Sequence, residues 1–156
     1  MTSPRWLVLT WRLPATSSTP RVATWRGLQR LGAVTLTPGA AIVPFSEHLL
    51  EQLQWIAEDI VQRGGDAYVL PVTELPEADE EEIRRRMRAG PRDEYTRLKA
   101  SAQSLGRRSL EPLQLERELS ALERGFARAV ERDHFASTGR KGAERAIQLA
   151  RKRKEG

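Results

Sequence analysis

Two hydrophobic textures divide this chain near residues 74–77. Before that point, short β-branched and aromatic runs alternate with amphipathic stretches; after it, leucine and alanine recur every three or four positions among charges. Trp6-Leu7-Val8-Leu9-Thr10-Trp11 reads as a buried strand, ended by Leu13-Pro14. Val22, Trp25, Leu28 and Leu31 then recur at helical spacing, which makes Trp25 a core residue. Thr19 is the expected N-cap of that helix, Pro20 its first position and Gly32 its stop. Residues 33–36 and 40–43 are two short strands joined by the tight turn Thr37-Pro38-Gly39. Ser46 caps a second helix carrying the stripe Leu49, Leu53, Ile56 and Ile60, with Leu50, Ala57 and Val61 beside it, and Gly64-Gly65 ends it. Residues 67–72 form the last strand. This β-α-β-β-α-β order predicts an α+β fold: a ferredoxin-like (split βαβ) four-stranded antiparallel sheet with two helices on one face.

The remainder reads as a helical C-terminal extension. Asp79-Glu80-Glu81-Glu82 opens one helix and Arg84-Arg85-Arg86-Met87-Arg88 closes it, which complements the helix dipole and sets up favourable i,i+4 pairs. Gly90-Pro91 is expected to break the chain. Tyr95, Leu98, Ala102 and Leu105 form one stripe, and Leu115, Leu119, Leu122, Phe126 and Ala129 another. Joined through residues 106–112, they predict an antiparallel hairpin that packs on itself, on the sheet or on a second copy. After Thr138-Gly139, the positions Ala143, Ala146, Ile147 and Ala150 give only a weak apolar face. The expected organisation is a sheet unit over 1–75, a helical extension over 76–136 and a basic helix or tail over 137–156.

Charge sharpens this picture. The 156 residues carry a net charge of +5 and a pI near 10.2. Six arginines balance six acids up to Leu75, so the whole excess lies beyond Pro76 and favours a polyanionic partner. Arg140, Lys141, Arg145, Arg151, Lys152, Arg153 and Lys154 are the candidate phosphate contacts, with solvated charge as the alternative. The run 151–154 has only Glu155 nearby in sequence and reads as a free terminus. In the first half, Arg26 and Arg30 share a solvated helix face, with Arg21 at the helix entrance. Three guanidinium groups there can bind an oxyanion or a phosphate, or can simply decorate a surface helix.

Catalytic, metal and cofactor signals are absent from the residue pattern. No cysteine is present, which excludes disulfides, thiolate metal sites and thiol redox chemistry and suits a reducing cytoplasm. There is no Gly-rich phosphate loop, nucleophile elbow or His-Glu-x-x-His, and no apolar run long enough to span a membrane. His134 beside Asp133 lacks a further ligand at useful spacing. His48 lies on a polar face with Gln52, Trp55 and Asp59. Trp55 is out of phase with its helix's apolar stripe, so it either covers the edge of the core or anchors an interface.

Several of these segments, taken in order, resemble the N-terminal domain of the chromate-resistance regulators called ChrB. They are Trp6-Leu7-Val8-Leu9, Leu13-Pro14, Arg21-x-x-x-Trp25-Arg26-x-Leu28-x-x-Leu31-Gly32-Ala33, Gly39 with Val43-Pro44, and Gly64-Gly65-x-Ala67. Further along come Glu94-Tyr95, Leu119-x-x-Leu122-Glu123-Arg124 and Asp133-x-Phe135, so the likeness covers roughly residues 5 to 136. The resemblance implies a cytoplasmic bacterial regulator of a chromate-efflux operon, responsive to chromate and acting on promoter DNA. The sheet unit is also similar to the central domain of phenylacetate-type repressors, which implies a homodimer. Longer ChrB members carry a second domain; if sensing or DNA contact belongs there, residues 1–156 act as an accessory module. A dimerising module without ligand or DNA, and a small enzyme, are the other readings the residues leave open.

Overall fold

The computed structural model describes residues 2–15 and 18–156. Its elements are β1 (Trp6–Arg12), α1 (Thr19–Arg30), β2 (Val34–Thr37), β3 (Ala40–Pro44), α2 (Glu47–Gln62), β4 (Asp66–Val72), α3 (Glu77–Leu105), α4 (Pro112–Arg132) and α5 (Arg140–Glu155). They fall into two compact units, Met1–Arg84 and Arg85–Gly156, with the boundary inside α3.

The first unit is the ferredoxin-like sheet that the element order predicts. Its strands run β2-β3-β1-β4, every neighbouring pair antiparallel. Strand alternation sends Leu7 and Leu9 of β1 to one face, where they meet Ala41 and Val43 of β3 and Leu28, Leu49, Leu53 and Ile60 of α1 and α2. Trp6 points the other way yet is 1% exposed. Glu80, on the first turns of α3, accepts its indole N–H at 3.2 Å, and Arg84 stacks 5.5 Å from the ring centre. Glu80 also pairs with Arg5 at 2.8 Å and Arg84 at 3.7 Å. It therefore covers a core tryptophan besides serving the helix dipole.

Ser46 caps α2 as expected, its hydroxyl accepting from the Leu49 N–H at 3.0 Å. Two glycines are fixed by close backbone approach to the end of β1. A Cβ at residue 39 would lie 2.7 Å from the Trp11 carbonyl oxygen, and one at residue 65 would lie 2.3 Å from that of Arg12. The Gly39 carbonyl in turn accepts from the Trp11 N–H at 2.8 Å.

α1 departs from expectation in two ways. Its N-cap is Ser18, without a side-chain cap bond, so Thr19 is the first helical residue and Pro20 the second. Its buried face is Thr24, Gly27 and Leu28, while Trp25 is 56% exposed and Val22 also faces solvent. Both sets have helical spacing and share Leu28, so periodicity alone does not choose between them. Packing against α2 chooses: Gly27 faces that helix, where a Cβ would be in ordinary contact 3.4 Å from Ile56, and Trp25 turns outward.

The second unit holds two corrections. Gly90-Pro91 does not break α3, which continues as one helix to Leu105. Pro91 is itself buried and sits four residues from both Met87 and Tyr95, also buried, so it extends the apolar stripe. That burial compensates the one helical N–H that proline lacks. The C-terminal segment is also not a free tail. α5 contributes Ala143 to a cluster with Tyr95 and Ala129, and Ala150 to a cluster with Leu105 and Leu119. The expected α3–α4 hairpin is thereby completed as a three-helix unit.

Candidate anion and nucleic-acid surfaces

The junction of the three helices is built around one carboxylate. Asp133 stands at the C-cap of α4 and is buried. It accepts the Tyr95 phenol O–H at 2.9 Å, the Ser137 N–H at 2.8 Å and the Ser137 hydroxyl at 2.6 Å. Burial, and then the bond to Asp133, push the Tyr95 phenol well above its ordinary range. Beside it Arg132 pairs with Glu94, and the Arg88 guanidinium lies 5.7 Å from the Phe135 ring centre. The Glu94-Tyr95 and Asp133-x-Phe135 segments thus meet in one network. Among the described residues no cluster of three or more His, Cys, Asp or Glu is placed to hold a metal ion, and no helix is long and apolar enough to cross a membrane.

The structure sorts the seven C-terminal cations into two groups. Arg151 donates to Glu116 at 2.5 Å and also pairs with Glu123, while Lys154 pairs with Glu116. The Lys154 and Arg151 bonds lower the Glu116 carboxyl from an ordinary 4.5 to about 2. Residues 151–154 therefore have more than Glu155 for acid neighbours, because α4 brings Glu116 and Glu123 to α5. Arg140, Lys141, Arg145, Lys152 and Arg153 are exposed and have no carboxylate partner among the described residues. Lys141, Arg145 and Lys152, at i, i+4 and i+11, share one stripe of α5.

Charge follows the division into units. Residues 1–84 carry seven Lys/Arg against eleven Asp/Glu, net −4, and residues 85–156 carry nineteen against ten, net +9.

The α1 arginines are all exposed, with no carboxylate partner among the described residues. Arg26 and Arg30 are one turn apart on one face. Arg21 is five residues from Arg26 and nine from Arg30, which at about 100° per residue puts it well round the helix from the first and opposite the second. The helix brings two of the three together. Trp55 is 67% exposed on α2.

An acidic ferredoxin-like unit followed by a basic three-helix unit is the class of molecule this geometry defines. The family described as "Protein ChrB, N-terminal" matches residues 21–156, and the chain belongs to that family. The chain is also similar to a protein named Protein ChrB from Cupriavidus metallidurans (strain CH34), 37% identical over 79 residues. That match covers 51% of this chain and 24% of the relative, so it spans about a quarter of the relative's length. No solved structure matches the chain.

Proposed function

We propose that this chain is the N-terminal part of a cytoplasmic, chromate-responsive regulator of a chromate-efflux operon, acting by binding and without a catalytic step. Its membership of the ChrB N-terminal family carries the reading. In this reading promoter DNA contacts the +9 unit through Arg140, Lys141, Arg145, Lys152 and Arg153. Arg151 and Lys154 hold α5 against α4, with their charge offset by Glu116 and Glu123, and stand outside that surface.

Chromate is a tetrahedral dianion, and two guanidinium groups one helical turn apart offer it charge-assisted donors. Arg26 and Arg30 are the primary oxyanion ligands in this proposal, with Arg21 supporting them from the helix entrance. The test is binding to labelled promoter of the chromate operon, with and without chromate, at fixed salt. Wild type should bind and respond to chromate, and Arg26→Ala/Arg30→Ala should bind equally but respond less. An unchanged chromate response in the double variant removes the α1 site; no promoter binding by wild type removes the regulator reading for this chain.

A second reading, a homodimeric interaction module, is favoured by the exposure of Trp55. Sedimentation equilibrium of wild type and Trp55→Ala tests it, because a self-association centred on this ring weakens when the ring is removed.

A further inference from the structure

We infer that a groove between α3 and α5 is a track for the phosphate backbone of duplex DNA, with Lys99, Arg145 and Arg153 as its phosphate ligands. The inference rests on the DNA reading above and gives it a site that includes a second helix. The groove has a volume of about 300 Å³ and is lined by these three cations, by Gln103, and by a small-residue floor that includes Ala102 and Ala146. No carboxylate lines it, and none of the three cations has an ion-pair partner among the described residues. This sets it apart from the opposite side of α5, where Glu116 and Glu123 engage Arg151 and Lys154.

The placement of the cations selects an extended ligand. The Lys99 ammonium lies 3.7 Å from where a Cβ on residue 142 would sit, near the start of α5. An Arg153 guanidinium nitrogen lies 2.5 Å from where a Cβ on residue 106 would sit, just beyond the end of α3. Two glycines, one on each wall, thus leave room for a cationic head group crossing from the other wall. Residues 99 and 106 are seven apart, about 10 Å along a helix, and 142 and 153 are eleven apart, about 16 Å. The two head groups therefore occupy opposite ends of the groove, and Arg145 lines it from a position on α5 between residues 142 and 153. A compact ion meets one end; a phosphodiester strand meets all three. Gln103 adds a neutral amide donor, and the alanine floor lets the backbone approach without a competing acid.

The experiment uses the full chain and a random-sequence duplex of about 20 base pairs, because phosphate contacts do not depend on sequence. Affinity is read by fluorescence anisotropy between about 50 and 200 mM salt. Three phosphate contacts contribute a log-affinity versus log-salt slope of about −2.7. Lys99→Gln/Arg145→Gln/Arg153→Gln should flatten the wild-type slope by about that amount, and Lys99→Arg should keep the wild-type slope. Lys154→Gln, which removes a cation already engaged by Glu116, should leave the slope unchanged. The melting temperature of the triple variant should match wild type, since its three side chains are exposed and unpaired. If wild type binds and the triple variant keeps the full slope, the groove is not the track, while the DNA reading stands. If wild type does not bind duplex even at the lowest salt, the DNA reading fails and the groove inference with it. In that event, inorganic phosphate raising the melting temperature of wild type but not of the triple variant would make the groove a small-anion site and overturn the inference.

Discussion

Removing the Asp133 carboxylate should cost the helical unit far more than removing any single group it binds. Asp133→Ala strands three buried donors at once: the Tyr95 O–H, the Ser137 N–H and the Ser137 O–H. A buried donor left without an acceptor costs about 1–3 kcal/mol, so three of them should cost at least about 3 kcal/mol together. Tyr95→Phe removes one donor and leaves the carboxylate its two bonds from Ser137, for a loss of about 1 kcal/mol. In a unit of this size 1 kcal/mol moves the melting temperature by roughly 4–8 °C, so Asp133→Ala should melt at least about 12 °C below wild type. Far-UV circular dichroism follows the helices. Tryptophan fluorescence reports the sheet unit alone, because Trp6, Trp11, Trp25 and Trp55 all precede residue 85. The large shift should appear in the dichroism, and the double variant should lose less than the sum of the singles. If Asp133→Ala melts with or above Tyr95→Phe, the carboxylate is not the acceptor that holds this junction, and the reasoning fails.

Four further outcomes follow from the same geometry. Trp25→Ala should cost under about 1 kcal/mol because the ring is exposed, whereas Trp6→Ala should cost about 3–5 kcal/mol; chemical denaturation separates them. Thr24 is buried and its hydroxyl has no hydrogen-bond partner among the described residues, so Thr24→Val should stabilise the sheet unit by about 1 kcal/mol in the same assay. Gly65→Ala forces a Cβ onto the Arg12 carbonyl and should destabilise by about 1–3 kcal/mol. Glu116 ionises near pH 2 in the folded chain and near 4.5 ordinarily, so its contribution is present above about 4.5 and lost as pH falls toward 2. Melting curves across that window should be flatter for Glu116→Gln than for wild type; equal slopes would mean that the α4–α5 ion pairs add nothing.

The sheet unit was legible because each of its signals has a local cause. Alternating Leu7 and Leu9 and the Ser46 cap act within a few residues, and glycine at 39 and 65 marks the chain turns directly, although what fixes those two positions is the approach of β1. The facing of α1 was not legible, because the stripes 22-25-28 and 24-27-28 satisfy the same period. The choice between them belongs to Ile56, on another helix. Pro91 misled for a related reason. Read as a helix breaker it ends α3, but the 4-residue spacing of Ile83, Met87, Pro91 and Tyr95 was present in the sequence and marks a stripe that carries the proline along. Asp133 was visible beside His134 and in the Asp133-x-Phe135 segment, but not its bond to Tyr95, which lies 38 residues away on another helix.

The C-terminal cations show how helix phase, more than residue type, separates structural charge from available charge. Ala143, Ile147 and Ala150 are the buried face of α5, and Arg151 and Lys154 continue that face at i+4 and i+7 from Ile147. They must therefore lie against a neighbouring helix, and a cation held there requires a carboxylate within reach. α4 supplies Glu116 and Glu123. Lys141, Arg145 and Lys152 share a stripe about a third of a turn or more away from that face, and Arg153 lies beyond it toward α3. Four consecutive basic residues therefore contribute unequally to any phosphate contact. Arg151 and Lys154 bring charge already offset by acids, while Lys152 and Arg153 bring charge that can displace the counterions condensed on a DNA strand. Because Arg153 reaches the groove that Lys99 enters from the other wall, removing the last turn of α5 should take away two free cations and loosen the packing of Ala150 together. Point substitution at the exposed positions, and not truncation, is what isolates the electrostatic part.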